Sequence, residues 1–223
     1  MDVFLIVLLG LAGAALGFGI PDISQSLSLY KCRKKNLTLS PEPRFTSAYL
    51  KLGLCLLNGA AWGLSGLLTG HLTAAVLISL LFSTAVLIAI IDIRIRIVPN
   101  ELLLVMLILG IAFQATQFGL TAILVAALCM IGMMVFFTFV AGMVGFDKVG
   151  AGDVKLAGAM GLALGYPNII SALIIMCAGF LLFSVIGLLI RKLTLKSMLP
   201  FAPFMMTGMV VALASIAFQL RLV

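Results

Sequence analysis

Gly145-Phe-Asp-Lys-Val-Gly-Ala-Gly-Asp-Val-Lys-Leu156 is the stretch on which the reading of this chain turns. It is polar and glycine-rich, and a strongly apolar run lies on each side of it. It carries two of the chain's seven acids, Asp147 and Asp153. Of 223 residues, 64% are hydrophobic and only 9% charged, whereas a soluble domain carries roughly 25% charged residues. So few polar groups do not cover a water-facing surface. The pattern predicts an all-α, polytopic membrane helical bundle, with the quoted stretch as a loop at a membrane boundary. No long stretch alternates as the strands of a barrel would.

Working outward from that loop, the apolar runs predict about eight transmembrane helices. Upstream lie spans at 3–20, 52–69, 72–91, 101–117 and 120–144. Downstream lie 154–165, 168–190 and 200–219. The sixth is short: about 12 residues cover roughly 18 Å of a 30 Å hydrocarbon core. The first span is read as a retained helix rather than a signal peptide, because Asp2 precedes it where a basic region would stand. The segment 21–51 is mostly polar and is read as a loop.

Charge gives the topology. The loops after spans one, three, five and seven, with their edges, hold thirteen of the fourteen lysines and arginines; Arg221 stands alone at the C-terminus. By the positive-inside rule those loops are cytoplasmic and both termini lie outside. The net charge of +7 is thereby explained by topology, and no basic-plus-aromatic pattern points to nucleic acid. The multi-pass placement predicts the lipid bilayer as a partner.

Other residues are quieter. Cys55, Cys129 and Cys177 lie in apolar runs and Cys32 in the first loop, with no C-x-x-C spacing to suggest a metal or redox motif. Trp62 is expected at the membrane interface or facing lipid. The single histidine, His71, falls in a turn on the opposite face from the basic loops.

Asp92 ends the third span and Asp153 begins the sixth. The topology therefore puts both at one membrane face. An ionisable group there is costly and needs a partner, water or a task. Asp153 opens a helix, where the dipole and free N–H groups favour an anion. Gly150 and Gly152 allow a close approach or a positive φ. Arg94 and Arg96 follow Asp92, and Pro99-Asn100 forms a turn into span four. Two aspartates brought close share a proton: one acts as base toward water while the other donates to a carbonyl. Such a pair needs neither a nucleophilic side chain nor a metal.

Three motifs carry a family resemblance. Gly150-Ala-Gly-Asp153 has the Gly-x-Gly-Asp form of intramembrane aspartic proteases. Its continuation through Val-Lys-Leu-Ala-Gly-Ala-Met-Gly-Leu-Ala-Leu-Gly165 resembles, more specifically, the type IV prepilin peptidase family. So do Asp92 upstream of Val98-Pro99-Asn100 and the run Leu199-Pro-Phe-Ala-Pro-Phe-Met205. The resemblance implies an aspartic endopeptidase with Asp92 and Asp153 catalytic. It implies an active-site loop of Gly150, Gly152, Lys155, Pro99 and Asn100. It implies substrates of the prepilin or pseudopilin class, cut at the cytoplasmic face of a bacterial inner membrane. The cut follows a glycine that ends a short basic leader and precedes an apolar helix. Glu101 and Asp147 are candidates for attracting that leader.

The N-terminal third departs from the family. The two C-x-x-C pairs that bind zinc in many members are absent, since 21–51 holds only Cys32; no zinc is expected. Bifunctional members also methylate the new N-terminus, and S-adenosylmethionine enters here only if that activity is present; proteolysis needs no cofactor. The chain divides into 1–71, the N-terminal helices and first loop, and 72–223, the catalytic core, within one integrated bundle. The competing reading is a proton-coupled secondary transporter, which would place its acids near the midplane within an inverted repeat.

Overall fold

The structure, a computed structural model, describes residues 1–34, 45, 47–144, 150–191 and 199–222. Among them are eight α-helices and no strand: α1 Val3–Lys34, α2 Ala48–Thr69, α3 Leu72–Ile95, α4 Asn100–Phe118, α5 Leu120–Val144, α6 Ala151–Leu164, α7 Asn168–Leu189 and α8 Ala202–Leu222. Seven are long and apolar enough to cross a membrane; the exception is α6, with 14 residues. The chain is an all-helical polytopic bundle.

The core sits where α3, α4, α6 and α8 meet. Ile88, Ile91, Met106, Phe113, Leu156, Met160, Met205 and Met209 are fully buried there. By contrast, α5 and α7 turn large apolar side chains outward, among them Leu124, Leu128, Phe139, Ile174 and Leu181. In water such faces would be a severe liability; against acyl chains they match their solvent.

The short α6 reaches about 21 Å along its axis and ends inside the bundle. A helix end there leaves carbonyls without partners, which is costly away from water. Buried Gln114 of α4 meets this need: its Nε2 donates to the carbonyl of Ala163 at 3.0 Å. The N–H of Gly165, at φ 62°, closes back onto the carbonyl of Gly161 at 2.9 Å. Small residues let α6 sit close to its neighbours. A Cβ on Gly110 would stand 2.9 Å from the backbone of Ala163, and one on Gly161 would stand 2.8 Å from the carbonyl oxygen of Cys129.

Three sequence expectations are corrected. The first helix does not stop at Ile20 but runs through Pro21 to Lys34. An interior proline costs a helix a hydrogen bond and about 3 kcal/mol or more. Here Pro21 is itself buried, and Ser24, Ser28 and Cys32 continue its buried face. Packing therefore carries the helix past the break, with the polar Ser24 and Ser28 on the buried face. At 32 residues α1 is about 48 Å long, so its last turns project beyond a 30 Å hydrocarbon core. Cys32 is consequently a buried helical residue, not a loop thiol.

Trp62 is not lipid-facing either. It is buried, and its Nε1 donates to Ser83 Oγ at 2.9 Å. Ser83 donates in turn to Asn58 Oδ1 at 3.0 Å, and Asn58 Nδ2 donates to the carbonyl of Gly13 at 2.8 Å. This chain of hydrogen bonds ties α1, α2 and α3 together. An indole N–H needs a partner when buried, and the serine that supplies it lies 21 residues away on the next helix.

Candidate active site

One end of the bundle gathers the C-terminal ends of α1 and α3 and the N-terminal ends of α4, α6 and α8. Asp92 lies in the last turn of α3 and is buried at 4% exposure. That helix stops because Arg96 turns left-handed (φ 52°, ψ 40°) while its N–H returns to the carbonyl of Asp92 at 2.8 Å. Pro99, in extended geometry, then opens α4.

Asp153 is the third residue of α6, which begins at Ala151 rather than at Val154 as the sequence suggested. Its Oδ2 accepts the N–H of Gly150 at 3.3 Å, and its own N–H donates to the Gly150 carbonyl at 2.9 Å. Asp153 thus reaches back to satisfy the N–H of the N-cap residue of α6, while Gly150, having no side chain, offers only its carbonyl. Neither Gly150 nor Gly152 takes a positive φ. Gly152 serves instead for close approach: a Cβ there would stand 3.2 Å from Cβ of Val98, in the turn between α3 and α4. The missing side chain thus lets the start of α6 lie against the segment that follows Asp92.

The two carboxylates are near enough to interact electrostatically, and Arg96 also acts on Asp92. Asp92 Oδ2 accepts the N–H of Ala202 at 3.1 Å, a buried bond spanning 110 residues. Each aspartate is therefore held through Oδ2 by one backbone N–H. Among the described residues Oδ1 of each is left without a protein hydrogen bond. Two fixed carboxylates with one free oxygen apiece can take a proton from a water and give one to a carbonyl.

Residues 79–188 match the model of the type IV leader peptidase family. That segment is similar to this family. A search of curated proteins and one of solved structures gave no match. Similarity to the type IV leader peptidase family points to an aspartic peptidase activity. The matched segment holds Asp92, Pro99, Asn100, Glu101, Gly150, Gly152, Asp153 and Lys155.

The donor that fixes Asp92, the N–H of Ala202, lies outside the matched segment, at the start of α8. Phe201 and Phe204 flank it and build an aromatic cluster. Phe180 stands edge-on to Phe201 and Phe204 at 5.4 Å and 5.3 Å, and Phe137 tilts against Phe201 at 5.9 Å. These contacts pin the first turn of α8, so its free N–H is aimed and not merely available. The Pro-Phe-Ala-Pro-Phe run was legible as a motif, but a main-chain donor leaves no trace in residue type. Ala202→Pro deletes this N–H at a first helical position, where proline is tolerated. It is expected to lower kcat about tenfold, the effect of losing one orienting bond of roughly 1.5 kcal/mol. Ala202→Gly keeps the N–H and should stay within about threefold of wild type in the same cleavage assay.

Of the acids expected to attract a substrate leader, Asp147 lies outside the described residues. Glu101 is already engaged: Lys31 of α1 approaches it at 2.6 Å, with side chains 12% and 49% exposed. That pair anchors the projecting end of α1 over the start of α4. A second pair, Lys51 with Asp22 at 2.8 Å, joins α2 to the same projection. Half-exposed pairs of this kind contribute little, about 0–1 kcal/mol. Glu101→Gln is therefore expected to shift the thermal midpoint by only about 1–3 °C, read by a melting curve in detergent. Lys155 is exposed and without an ion pair among the described residues, and Asn100 is exposed at the first position of α4.

Proposed function

We propose that this protein is a membrane aspartic endopeptidase that removes the short basic leader of prepilins or pseudopilins, with Asp92 and Asp153 as the catalytic pair. One observation carries the reading. Two acids 61 positions apart in the chain lie at one end of the bundle, near enough to interact electrostatically, and each is anchored through one oxygen with the other free of protein hydrogen bonds among the described residues. In the proposed reaction the charged aspartate takes a proton from water, and the hydroxyl attacks the scissile carbonyl. The protonated aspartate gives its proton to the carbonyl oxygen. When the tetrahedral intermediate collapses, the C–N bond breaks and the departing amine takes a proton from the pair. The two carboxyls titrate as a unit, and the roles belong to the pair.

The basic end of the bundle faces the cytoplasm of a bacterial inner membrane in this reading, because that orientation obeys the positive-inside rule. The substrate's apolar helix lies in the bilayer and its leader in the cytoplasm, which brings the scissile bond level with the carboxylates. Acids at the end of α3 and the start of α6 suit this task better than proton-coupled transport, which calls for acids near the midplane.

The test is purified protein in detergent with a prepilin-type substrate. The expected product has lost the leader mass and begins at the residue after the leader's terminal glycine. Intact substrate after prolonged incubation with folded protein would end the proposal. Labelled S-adenosylmethionine in the same reaction scores methylation of the new N-terminus separately.

A further inference from the structure

Among the described residues, four buried side-chain atoms have no hydrogen-bond partner: Ser24 Oγ, Ser28 Oγ, and Nε and Nη1 of Arg94. Polar atoms are costly to bury unpaired, and those of a cation more so. These four come from two helices, α1 and α3, yet both sets lie around the start of α2.

Register places them there. Helices α1 and α2 run antiparallel: Gly17 packs on the backbone of Leu54, and Asp22 pairs with Lys51 at 2.8 Å. Ser24 and Ser28 follow Gly17 by seven and eleven residues, so they share its face of α1, at 1% and 0% exposure. One residue per residue, Ser24 comes level with about position 48, and Ser28 lies one turn further on. Helix α3 is also antiparallel to α2, since Ser83 donates to Asn58 at 3.0 Å. Arg94 is eleven residues beyond Ser83, on the same face, and so comes level with about position 47. Its Cζ indeed stands 5.3 Å from the centre of the Phe45 ring, two residues before Ser47, the N-cap of α2.

We infer that the start of α2, with Arg94 and the hydroxyls of Ser24 and Ser28 around it, binds a phosphate group, borne by a phospholipid or by a free ion. Elsewhere in the bundle Ser26, Ser83, Thr84 and Thr138 donate to the carbonyl four residues back. Ser24 and Ser28 do not, which leaves their hydroxyls for a partner outside their own helix. Water would satisfy hydroxyls but does not offset a guanidinium charge, and no acid among the described residues pairs with Arg94. An anion does both. The first turn of α2 adds outward N–H groups and the positive end of a helix dipole. Phe45, against the guanidinium, fixes its plane. Arg94 lies in the last turn of α3, at the level where an apolar span meets headgroups. Tyr49, 89% exposed, and Ile93, 51% exposed, leave the flanks open to lipid.

The test uses the purified protein in dodecyl maltoside, washed free of phosphate. Dioctanoyl phosphatidylglycerol, inorganic phosphate and dioctanoylglycerol, which lacks the phosphate, are each titrated against the thermal midpoint. The phospholipid should raise the wild-type midpoint saturably, by about 5–10 °C at a hundred times its Kd, and dioctanoylglycerol should not. Arg94→Met should weaken binding at least about tenfold. Ser24→Ala combined with Ser28→Ala only removes two unpaired hydroxyls, so it should fold, and it should weaken binding at least about threefold. Inorganic phosphate giving the same shift, with the same dependence on Arg94, identifies the free ion as sufficient; a shift with the phospholipid alone identifies lipid. Phosphorus that stays with wild type through washing but is lost from Arg94→Met supports the site equally. The inference is overturned by the absence of both a saturable shift and retained phosphorus, by an equal shift with dioctanoylglycerol, or by binding that is undiminished in both variants.

Discussion

Asp92→Asn and Asp153→Asn each abolish leader cleavage, by at least about 10³-fold in kcat, while leaving the protein folded. General acid–base groups supply roughly 10²–10⁴-fold each, and here one group's function depends on the proton carried by the other. Asparagine is nearly isosteric with aspartate and keeps one carbonyl oxygen. It therefore still accepts from Ala202 N–H at position 92 and from Gly150 N–H at position 153, the two bonds that anchor these side chains. What is lost is the exchangeable proton and the charge. Because the pair acts as a unit, the double variant should be no slower than the slower single variant, a non-additivity that independent contributions would not give. The readout is product formed per hour by mass spectrometry, with a melting curve as the control for folding. Wild-type-like turnover in either variant would remove the carboxylate pair from the mechanism.

The proximity behind this prediction was legible in the sequence because of a parity argument. A basic loop after every second span puts the end of the third and the start of the sixth on one side, whatever the detailed packing. The resemblance pointed to the same two residues from their motifs. Features that depend on contact between distant segments were not legible. Pro21 reads as a stop, yet α1 continues because Ser24, Ser28 and Cys32 keep one face buried; burial by a neighbouring helix is not written in local propensity. Trp62 reads as interfacial because its partner, Ser83, lies on another helix. Gln114 could have been noticed, since a lone amide in an apolar span is costly unless it serves a partner. What it serves, the buried end of α6, became visible only once that helix was seen to stop short. Ala202 acts through its main chain and offers no side-chain signal. The sequence did contain the cause of the short sixth helix. Gly165, at positive φ, and Pro167 just beyond it end the helix, while its glycines let α4 and α5 come close.

That last feature leads to the second large effect. Gly161→Leu should unseat α6 and take activity with it. A Cβ at Gly161 would lie 2.8 Å from the carbonyl oxygen of Cys129, 3.0 Å from its carbonyl carbon and 3.1 Å from Cα of Met130. All three are backbone atoms of α5, so no rotamer change relieves the clash and the two helices must move apart. Overpacking of this kind costs about 1–3 kcal/mol, and membrane helices depend on such close approach more than soluble ones because lipid supplies no hydrophobic drive to bring them together. The separation propagates to the site. Gly161 is eight residues from Asp153, about 12 Å along one short rigid helix, and the neighbouring Gly152 packs on the Val98 turn so closely that an added Cβ would stand 3.2 Å from Cβ of Val98. A misplacement near 1 Å at reacting groups costs on the order of 10²-fold in rate. The expected result is therefore a lowered thermal midpoint together with a fall in kcat of about that size. Gly132→Leu is the matched control: it also lies on α5, but a Cβ there meets nothing within 4 Å and points to where lipid would lie. It should melt and cleave as wild type does. Equal damage from the two substitutions would mean that added volume anywhere on these helices is harmful, and the close crossing of α5 and α6 would lose its role in holding Asp153 opposite Asp92.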